Sequence, residues 1–208
     1  MLKIIGMMLA VVFATAGLAC ANPLQEGGDF PDVQLNLSGD RAVARYLEVP
    51  PADSVPLSEV GARGIIINIY SLYCPPCHRE APLLNNLYRM IKEMGLEDDL
   101  KLIGIAVGNN EQEVSAYRER HKVPFPLLMD PDYTIHKQVG SVPVPSFYAV
   151  LLQCDGGPQV VLSKIGEVED EKKFLEDVLR AMSKGKPLQE GLRECRFAPG
   201  AGRVALTR

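Results

Sequence analysis

The sequence GIIINIYSLYCPPC, residues 64–77, decides the fold. Its first half, Gly64–Tyr70, is almost continuously apolar, which is typical of a strand buried on both faces in a parallel sheet. Two cysteines, Cys74 and Cys77, follow with two prolines between them. A helix that begins at the first proline places Cys74 at its N-terminus, where the backbone amides favour thiolate over thiol. Cys77 then lies one turn along the same helix, within reach of a mixed disulfide at the first thiol.

We therefore expect a redox-active pair, with Cys74 as an exposed nucleophile and Cys77 as a more buried resolving thiol. The alternatives for this motif are a structural disulfide and half of a zinc site. Zinc sites usually have a second ligand pair at similar spacing, and the remaining cysteines of this chain are isolated. Pro75 and Pro76 have no backbone N–H, so they should stiffen the turn and leave fewer amides to bond the Cys74 sulfur. We expect no metal, and no cofactor besides the disulfide itself.

The first 21 residues read as an export signal. Lys3 precedes an uncharged, mostly apolar stretch over Ile4–Leu18, and Ala19-Cys20-Ala21 fits the small-x-small cleavage pattern. We expect cleavage after Ala21 and a soluble protein in the periplasm or another extracytoplasmic compartment. Lipidation at Cys20 and an uncleaved anchor are the alternatives. The anchor is disfavoured because the apolar stretch is shorter than the roughly 20 residues that a helical span needs.

Length, composition and charge limit the class of protein. The chain has 208 residues, 47% of them hydrophobic, enough for one domain with a sizeable core. Its net charge is −4 and its Lys and Arg residues are dispersed, which argues against a nucleic-acid partner. We expect a monomer.

Four cysteines follow the predicted signal, and an even number in an oxidising compartment permits two disulfides. If Cys74 pairs with Cys77, then Cys154 and Cys195 are left to form the second, which would join the C-terminal tail to the domain. The alternative is that these last two are unpaired thiols.

Beyond the signal, the pattern predicts an irregular lead-in over residues 22–63, a domain of alternating strands and helices over 64–184, and an extended tail over 185–208. The lead-in is rich in Pro, Gly, Asp and Ser and includes a short strand at Val33–Leu37. The elements predicted after the first core strand are a helix at about Pro75–Met94, a strand at Leu100–Val107, a helix at Asn110–Lys122, a strand at Phe125–Met129, a short helix to about Val139, a hairpin of Ser146–Leu152 and Gln159–Ile165, and a helix at Asp170–Lys184. This order predicts an α/β fold with a mainly parallel central sheet, an antiparallel C-terminal hairpin and helices on both faces.

This order, with C-x-x-C at the end of the first core strand, resembles the thioredoxin fold. Four motifs make residues 29–183 resemble the TlpA/ResA-like thiol–disulfide oxidoreductases that bacteria export. They are Asp29-Phe30-Pro31, the C-x-x-C-x-x-E-x-P pattern at residues 74–82, Asp130-Pro131-Asp132, and Val144-Pro145-Ser146-Phe147. The chain departs from the family at Tyr73, where a Trp is usual. A Tyr keeps an aromatic wall beside the cysteines and adds a hydroxyl.

The resemblance implies roles for further residues. Glu80 should lie near Cys77, where a partly buried carboxyl with a raised pKa could move a proton to or from the resolving thiol; the alternative is a solvated charge on the helix face. Pro145 should be cis, leaving the backbone of Val144 exposed to pair with an extended substrate. Pro143 is the rival position for the cis bond.

The histidines His78, His121 and His136 are expected on surfaces or helix faces. His78, directly after Cys77, is a candidate for stabilising a thiolate.

The resemblance implies that the reduced pair reduces disulfides in substrate proteins and is itself reduced by a membrane electron-donor protein. Family members of this kind act in cytochrome c biogenesis, where they keep apocytochrome thiols reduced. Three other functions are weighed on this fold. A dithiol oxidant of the DsbA type needs a helical insert that the interval 94–144 has no room for. A peroxiredoxin needs P-x-x-x-[ST]-x-x-C, where this chain has Ile67 at the proline position. A copper chaperone usually has C-x-x-x-C.

Overall fold

A computed structural model of the chain describes residues 22–153 and 157–183. The predicted export signal, the tail after Ser183, and the predicted pairing of Cys154 with Cys195 lie outside the described residues. Within the described part of the chain, no helix is both long enough and apolar enough to cross a bilayer.

From Gly64 onward, the strands and helices follow one another in the predicted order. The strands are β1 (Gln34–Asn36), β2 (Ser54–Pro56), β3 (Gly64–Tyr70), β4 (Leu100–Val107), β5 (Leu127–Asp130), β6 (Ser146–Gln153) and β7 (Gly157–Ile165). The helices are α1 (Arg41–Leu47), α2 (Pro75–Glu93), α3 (Glu111–His121), α4 (Thr134–Gln138) and α5 (Glu171–Ser183), with a short 3₁₀ turn at Leu57–Glu59.

The central sheet has five strands in the order β5-β4-β3-β6-β7. β3 pairs in parallel with β4, and β4 with β5. On its other side β3 pairs antiparallel with β6, which forms the hairpin with β7. The predicted thioredoxin-like α/β fold is confirmed. The antiparallel hairpin supplies two of the five strands, and its first strand lies directly beside the central strand.

The side chains of β3 alternate between two cores, one on each face of the sheet. Ile65, Ile67 and Ile69 pack with residues of the N-terminal segment. Ile66 and Tyr70 pack on the opposite face with α2, α3 and α5. Because β3 is buried throughout, its carboxyl end is held rigidly, and the loop that leads to the cysteines begins there.

The N-terminal segment contains a helix that the sequence analysis does not predict. In α1, Asp40 caps the N-terminus by accepting from the backbone N–H groups of Ala42 and Val43. Two short strands, β1 and β2, pair with each other next to it. The apolar side chains of the segment are buried in the same core as the odd residues of β3. The segment is therefore packed into the domain.

Candidate active site

Cys74 and Cys77 form a disulfide at the N-terminus of α2, with their Cα atoms 5.3 Å apart. Cys74 is the N-cap residue, and its sulfur accepts a hydrogen bond from the backbone N–H of Cys77 at 3.2 Å. The exposed fractions are 7% for Cys74 and 1% for Cys77. The prediction that Cys74 is exposed is wrong for this oxidised form, because the disulfide and the facing loop cover it. The predicted order of accessibility is retained.

Pro75 and Pro76 occupy the first two positions of α2. Both lack an N–H, so of the first three helical residues only Cys77 can donate to the Cys74 sulfur. A helix N-terminus without prolines offers more amides to a sulfur at this position. The site therefore stabilises a Cys74 thiolate with one backbone hydrogen bond from this turn.

The loop before β6 closes the other side of the disulfide. The Val144–Pro145 peptide bond is cis, in agreement with the choice of Pro145 over Pro143. The carbonyl oxygen of Val144 lies 3.4 Å from the Cys74 sulfur. Val144 is half-buried and Pro145 is buried. The structure thus brings the two cysteines and the cis-proline loop together.

Glu80 is buried, with an exposed fraction of 1%, one turn along α2 from Cys77. Its Oε2 accepts from the backbone N–H of Val168 at 3.3 Å, whereas its Oε1 has no hydrogen-bond partner. Burial raises the pKa of Glu80 from about 4.5 to about 8, and the nearby charge of Glu167 acts in the same direction. The hydrogen bond from Val168 and the neighbouring Asn68 oppose this rise in pKa. The alternative of a solvated helix-face charge is therefore wrong, because the carboxyl is inside the protein.

Tyr73, the residue that stands where the family has Trp, is the most exposed of the large apolar side chains, at 74%. Its hydroxyl donates a hydrogen bond to the carboxylate of Glu113. This bond raises the pKa of Tyr73 and lowers the pKa of Glu113. The added hydroxyl therefore ties the rim of the site to α3, which an indole ring could not do in the same way.

The segment before Cys74 is held by Asn109, which the sequence analysis does not single out. Its side chain is fully buried and accepts from the backbone N–H of Leu72 at 3.0 Å and from the hydroxyl of Ser71 at 3.3 Å. Its amide donates to Glu113 at 3.2 Å. The available signal is positional: Asn109 follows β4, whose carboxyl end lies at the same sheet edge as the end of β3.

Two further residues beside the cysteines are not predicted as site residues. Tyr117 donates from its hydroxyl to the backbone carbonyl of Cys77 at 2.8 Å. His121 lies with Tyr117 and His78 in a cluster of rings tilted against one another. Both come from α3, about 40 positions along the chain, so no local pattern connects them to the cysteines.

The fold and the site define a thioredoxin-fold protein with a C-x-x-C disulfide at a helix N-terminus and a cis-proline beside it. The chain belongs to the AhpC/TSA family, whose sequence profile matches residues 27–153. It is similar to the thiol-disulfide oxidoreductase ResA of Halalkalibacterium halodurans, at 34% identity over 119 residues, which cover 56% of this chain and 64% of the relative. The chain thus spans slightly less than two thirds of that relative. The resemblance to TlpA/ResA-like proteins is confirmed.

Solved structures show the same fold. StoA from Bacillus subtilis superposes with a TM-score of 0.52 at 18% identity, covering 71% of this chain and 98% of StoA. A secreted thiol-disulfide isomerase from Corynebacterium glutamicum gives a TM-score of 0.54 at 18% identity, covering 74% of this chain and 85% of the isomerase. At this level of identity the likeness supports the fold.

Proposed function

We propose that this chain is an exported thiol–disulfide oxidoreductase that reduces disulfides in substrate proteins through Cys74 and Cys77. The observation that carries the proposal is the Cys74–Cys77 disulfide, capped by one backbone amide and facing the carbonyl of Val144. The names of the relatives support the same class of reaction.

The reaction begins from the reduced dithiol. The Cys74 thiolate attacks one sulfur of the substrate disulfide, the substrate S–S bond breaks, and its other sulfur leaves as a thiolate. Cys77, as thiolate, then attacks the Cys74 sulfur of the mixed disulfide and releases the second substrate thiolate. Two electrons have passed from the dithiol to the substrate, and Cys74 and Cys77 are joined as the structure shows them.

Two features of the site favour the reducing direction. A dithiol is a strong oxidant when its reduced, thiolate form is strongly stabilised. Here the two prolines leave one amide of the first helical turn to bond the sulfur, and the carbonyl oxygen of Val144 lies 3.4 Å away, where it repels negative charge. Both features make the Cys74 thiolate less stable, and so support a dithiol that gives up its electrons readily.

Glu80 is suited to serve the resolving thiol. Cys77 must lose its proton before it attacks, and it must regain one when the disulfide is reduced. A carboxyl with a pKa of about 8 changes protonation state near neutral pH. Its Oε1 makes no hydrogen bond in the structure, and we propose that this oxygen carries the proton that the sulfur exchanges.

The proposed function also requires a substrate, an electron donor and a compartment. An extended substrate segment would lie along the backbone of Val144, next to the cis bond. Outside the cytoplasm the oxidised pair needs a source of electrons, for which a membrane electron-donor protein is the natural class of partner. The secreted relative of known structure supports export. Apocytochrome c thiols are one substrate that fits this chemistry.

Trapping of the mixed disulfide tests the proposal. The Cys77→Ser variant, reduced and mixed with a protein disulfide, should accumulate a covalent complex through Cys74, because no resolving thiol remains. The matched Cys74→Ser variant should form little or none, because Cys77 is covered. Equal trapping by both variants, or by neither, would contradict the assigned roles.

A further inference from the structure

His78 and His121 form a hydrogen-bonded pair of imidazoles beside the cysteines. His78 follows Cys77 in α2, and His121 is the last residue of α3. Nδ1 of His78 lies 2.8 Å from Nε2 of His121, with the ring centroids 5.0 Å apart. The other ring nitrogen of His78, Nε2, lies 2.8 Å from the carbonyl oxygen of Leu72. The pair thus connects two helices to the loop in front of Cys74.

The chemistry of these contacts fixes where the hydrogens lie. A carbonyl oxygen only accepts, so Nε2 of His78 carries a hydrogen and donates it to Leu72. When both rings are neutral, Nδ1 of His78 is a bare acceptor, and Nε2–H of His121 donates to it. One added proton, on either ring, leaves both hydrogen bonds in place, because one N–H still faces one bare nitrogen between the rings. With both rings protonated, two N–H groups face each other 2.8 Å apart, so a contact must break.

The peptide groups of Leu72 are held on both sides of the residue. Its N–H donates to Asn109 at 3.0 Å, and its C=O accepts from His78 at 2.8 Å. Two residues further on, the N–H of Cys74 donates to the carbonyl of Ser71 at 3.2 Å and closes the turn. An amide side chain does not titrate between pH 5 and 8, so the histidine side is where this turn can respond to protons.

The groups around the two rings set their affinity for protons. Burial lowers the pKa of His121, and His78 and Arg120 lower it further. Tyr117, also on α3, packs against both imidazoles, with centroids at 5.2 Å and 4.5 Å, and burial keeps its phenol neutral by raising its pKa. The charge of Glu80, on α2, raises the pKa of Tyr117 further. These surroundings oppose a positive charge on His121 at neutral pH.

We propose that His78 and His121 are positioning residues for Cys74. While the pair carries at most one added proton, it holds the Leu72 carbonyl and the turn that leads to the nucleophile. When both rings are protonated, the pair releases the carbonyl and the turn. The purpose of the device rests on the proposed function. The hydrogen bonds themselves do not depend on it. At acid pH the reaction of Cys74 with disulfides is then slower than the smaller fraction of Cys74 thiolate alone would make it.

An NMR titration of the oxidised chain from pH 8 to pH 5 tests the inference. The imidazole proton shifts of His78 and His121 are followed together with the backbone amide of Tyr73, whose peptide group contains the Leu72 carbonyl. We expect the pair to bind its two protons in two distinct steps, because the second proton must break a contact. The Tyr73 amide should follow the lower midpoint. Coincident midpoints, or a Tyr73 amide that follows neither, would overturn the inference.

The His121→Gln variant sharpens the test. A Gln amide can donate to Nδ1 of His78 or, after turning over, accept from it, so the bond to Leu72 survives either protonation state. The change at the Tyr73 amide should therefore be lost. The control His136→Gln removes a histidine bonded to the carbonyl of Val142 in another loop. In this control the change at the Tyr73 amide should persist. The opposite result in either variant overturns the inference, and the wild-type titration decides if a variant does not fold.

Failure of the inference and failure of the proposed function give different results. If the chain does not reduce disulfides, the trapping experiment with Cys77→Ser fails while the titration of the oxidised chain is unaffected. If only the histidine inference fails, trapping succeeds. The rate of Cys74 alkylation by iodoacetamide in His121→Gln, divided by the rate in wild type, then stays constant with pH. The inference predicts that this ratio rises as the pH falls from 7 to 5.

Discussion

At the residue scale, Glu80 has the largest pKa shift among the carboxyl groups of the described residues. Its side chain is 1% exposed, and one of its oxygens has no partner. Such a group stays protonated because burying a neutral carboxylic acid costs much less free energy than burying a carboxylate. A buried acid next to a thiol that must gain and lose protons is therefore chemically useful and structurally costly at the same time.

The cost of Glu80 should be visible in stability. Its pKa is about 8 in the folded chain, above the ordinary value near 4.5, so the folded form binds the proton more tightly than the unfolded chain does. This contribution is fully present below about pH 4.5 and is lost as the pH rises through about 8. The Glu80→Gln variant should match wild type at pH 4.5 and exceed it by roughly 4–5 kcal/mol at pH 9 in urea unfolding. Equal pH dependence of the two proteins would show that the carboxyl is not held neutral.

The same variant should be a poorer catalyst. Without a titrating carboxyl near Cys77, the release of substrate from the mixed disulfide should slow, while the first attack by Cys74 keeps its rate. Rapid-quench measurement of the two steps separates them. An equal loss in both steps would indicate a general disturbance of the site.

Asn109 offers a second test at this scale, because its buried amide holds the N–H of Leu72 and the hydroxyl of Ser71. Asn109→Ala leaves these donors without a partner, so the free energy of unfolding should fall by about 1–3 kcal/mol and the alkylation rate of Cys74 should change. Asn110→Ala is the matched control.

Asn110 caps α3 through the N–H of Glu113 at 3.1 Å, and its loss should cost about 1 kcal/mol without altering Cys74. A change in Cys74 reactivity in the control, and not in the first variant, would contradict the assignment.

At the scale of elements, the sequence predicts best where a pattern is local and long. β4 runs from Leu100 to Val107 as expected, and α2 from Pro75 to Glu93, one residue short of its predicted end. β4 is a mostly apolar run interrupted by Lys101, and α2 has a proline start and a periodic apolar face. The short helix α1 is missed because seven residues between Pro- and Gly-rich stretches give too few turns for a period. Its usable signal is the single capping residue Asp40.

The site residues show the same difference between local sequence patterns and tertiary contacts. The cysteines, Glu80 and Pro145 belong to contiguous motifs and are found from the sequence. Asn109, Tyr117 and His121 reach the site from β4 and α3 through tertiary contacts alone. No single sequence shows which face of α3 meets the first turn of α2, so these partners become visible only in three dimensions.

At the scale of the whole molecule, the N-terminal segment completes one of the two cores. Leu35 in β1 is fully buried, whereas its neighbour Gln34 is exposed. Leu35→Ala should lower the free energy of unfolding by about 2–4 kcal/mol, because a buried Leu leaves a cavity. Gln34→Ala should change it by less than about 0.5 kcal/mol. If both changes were equally mild, the segment would contribute little to the core.

The whole molecule also determines how the disulfide is used, since β3, the cis-proline loop and the turn held by Asn109 and His78 all converge on it. We propose that this arrangement makes the Cys74–Cys77 pair a reductant. The decisive measurement is the equilibrium midpoint potential of the pair against glutathione at pH 7. We expect a value near that of thioredoxin, about −270 mV. A value near about −120 mV, typical of a strong dithiol oxidant, would contradict it.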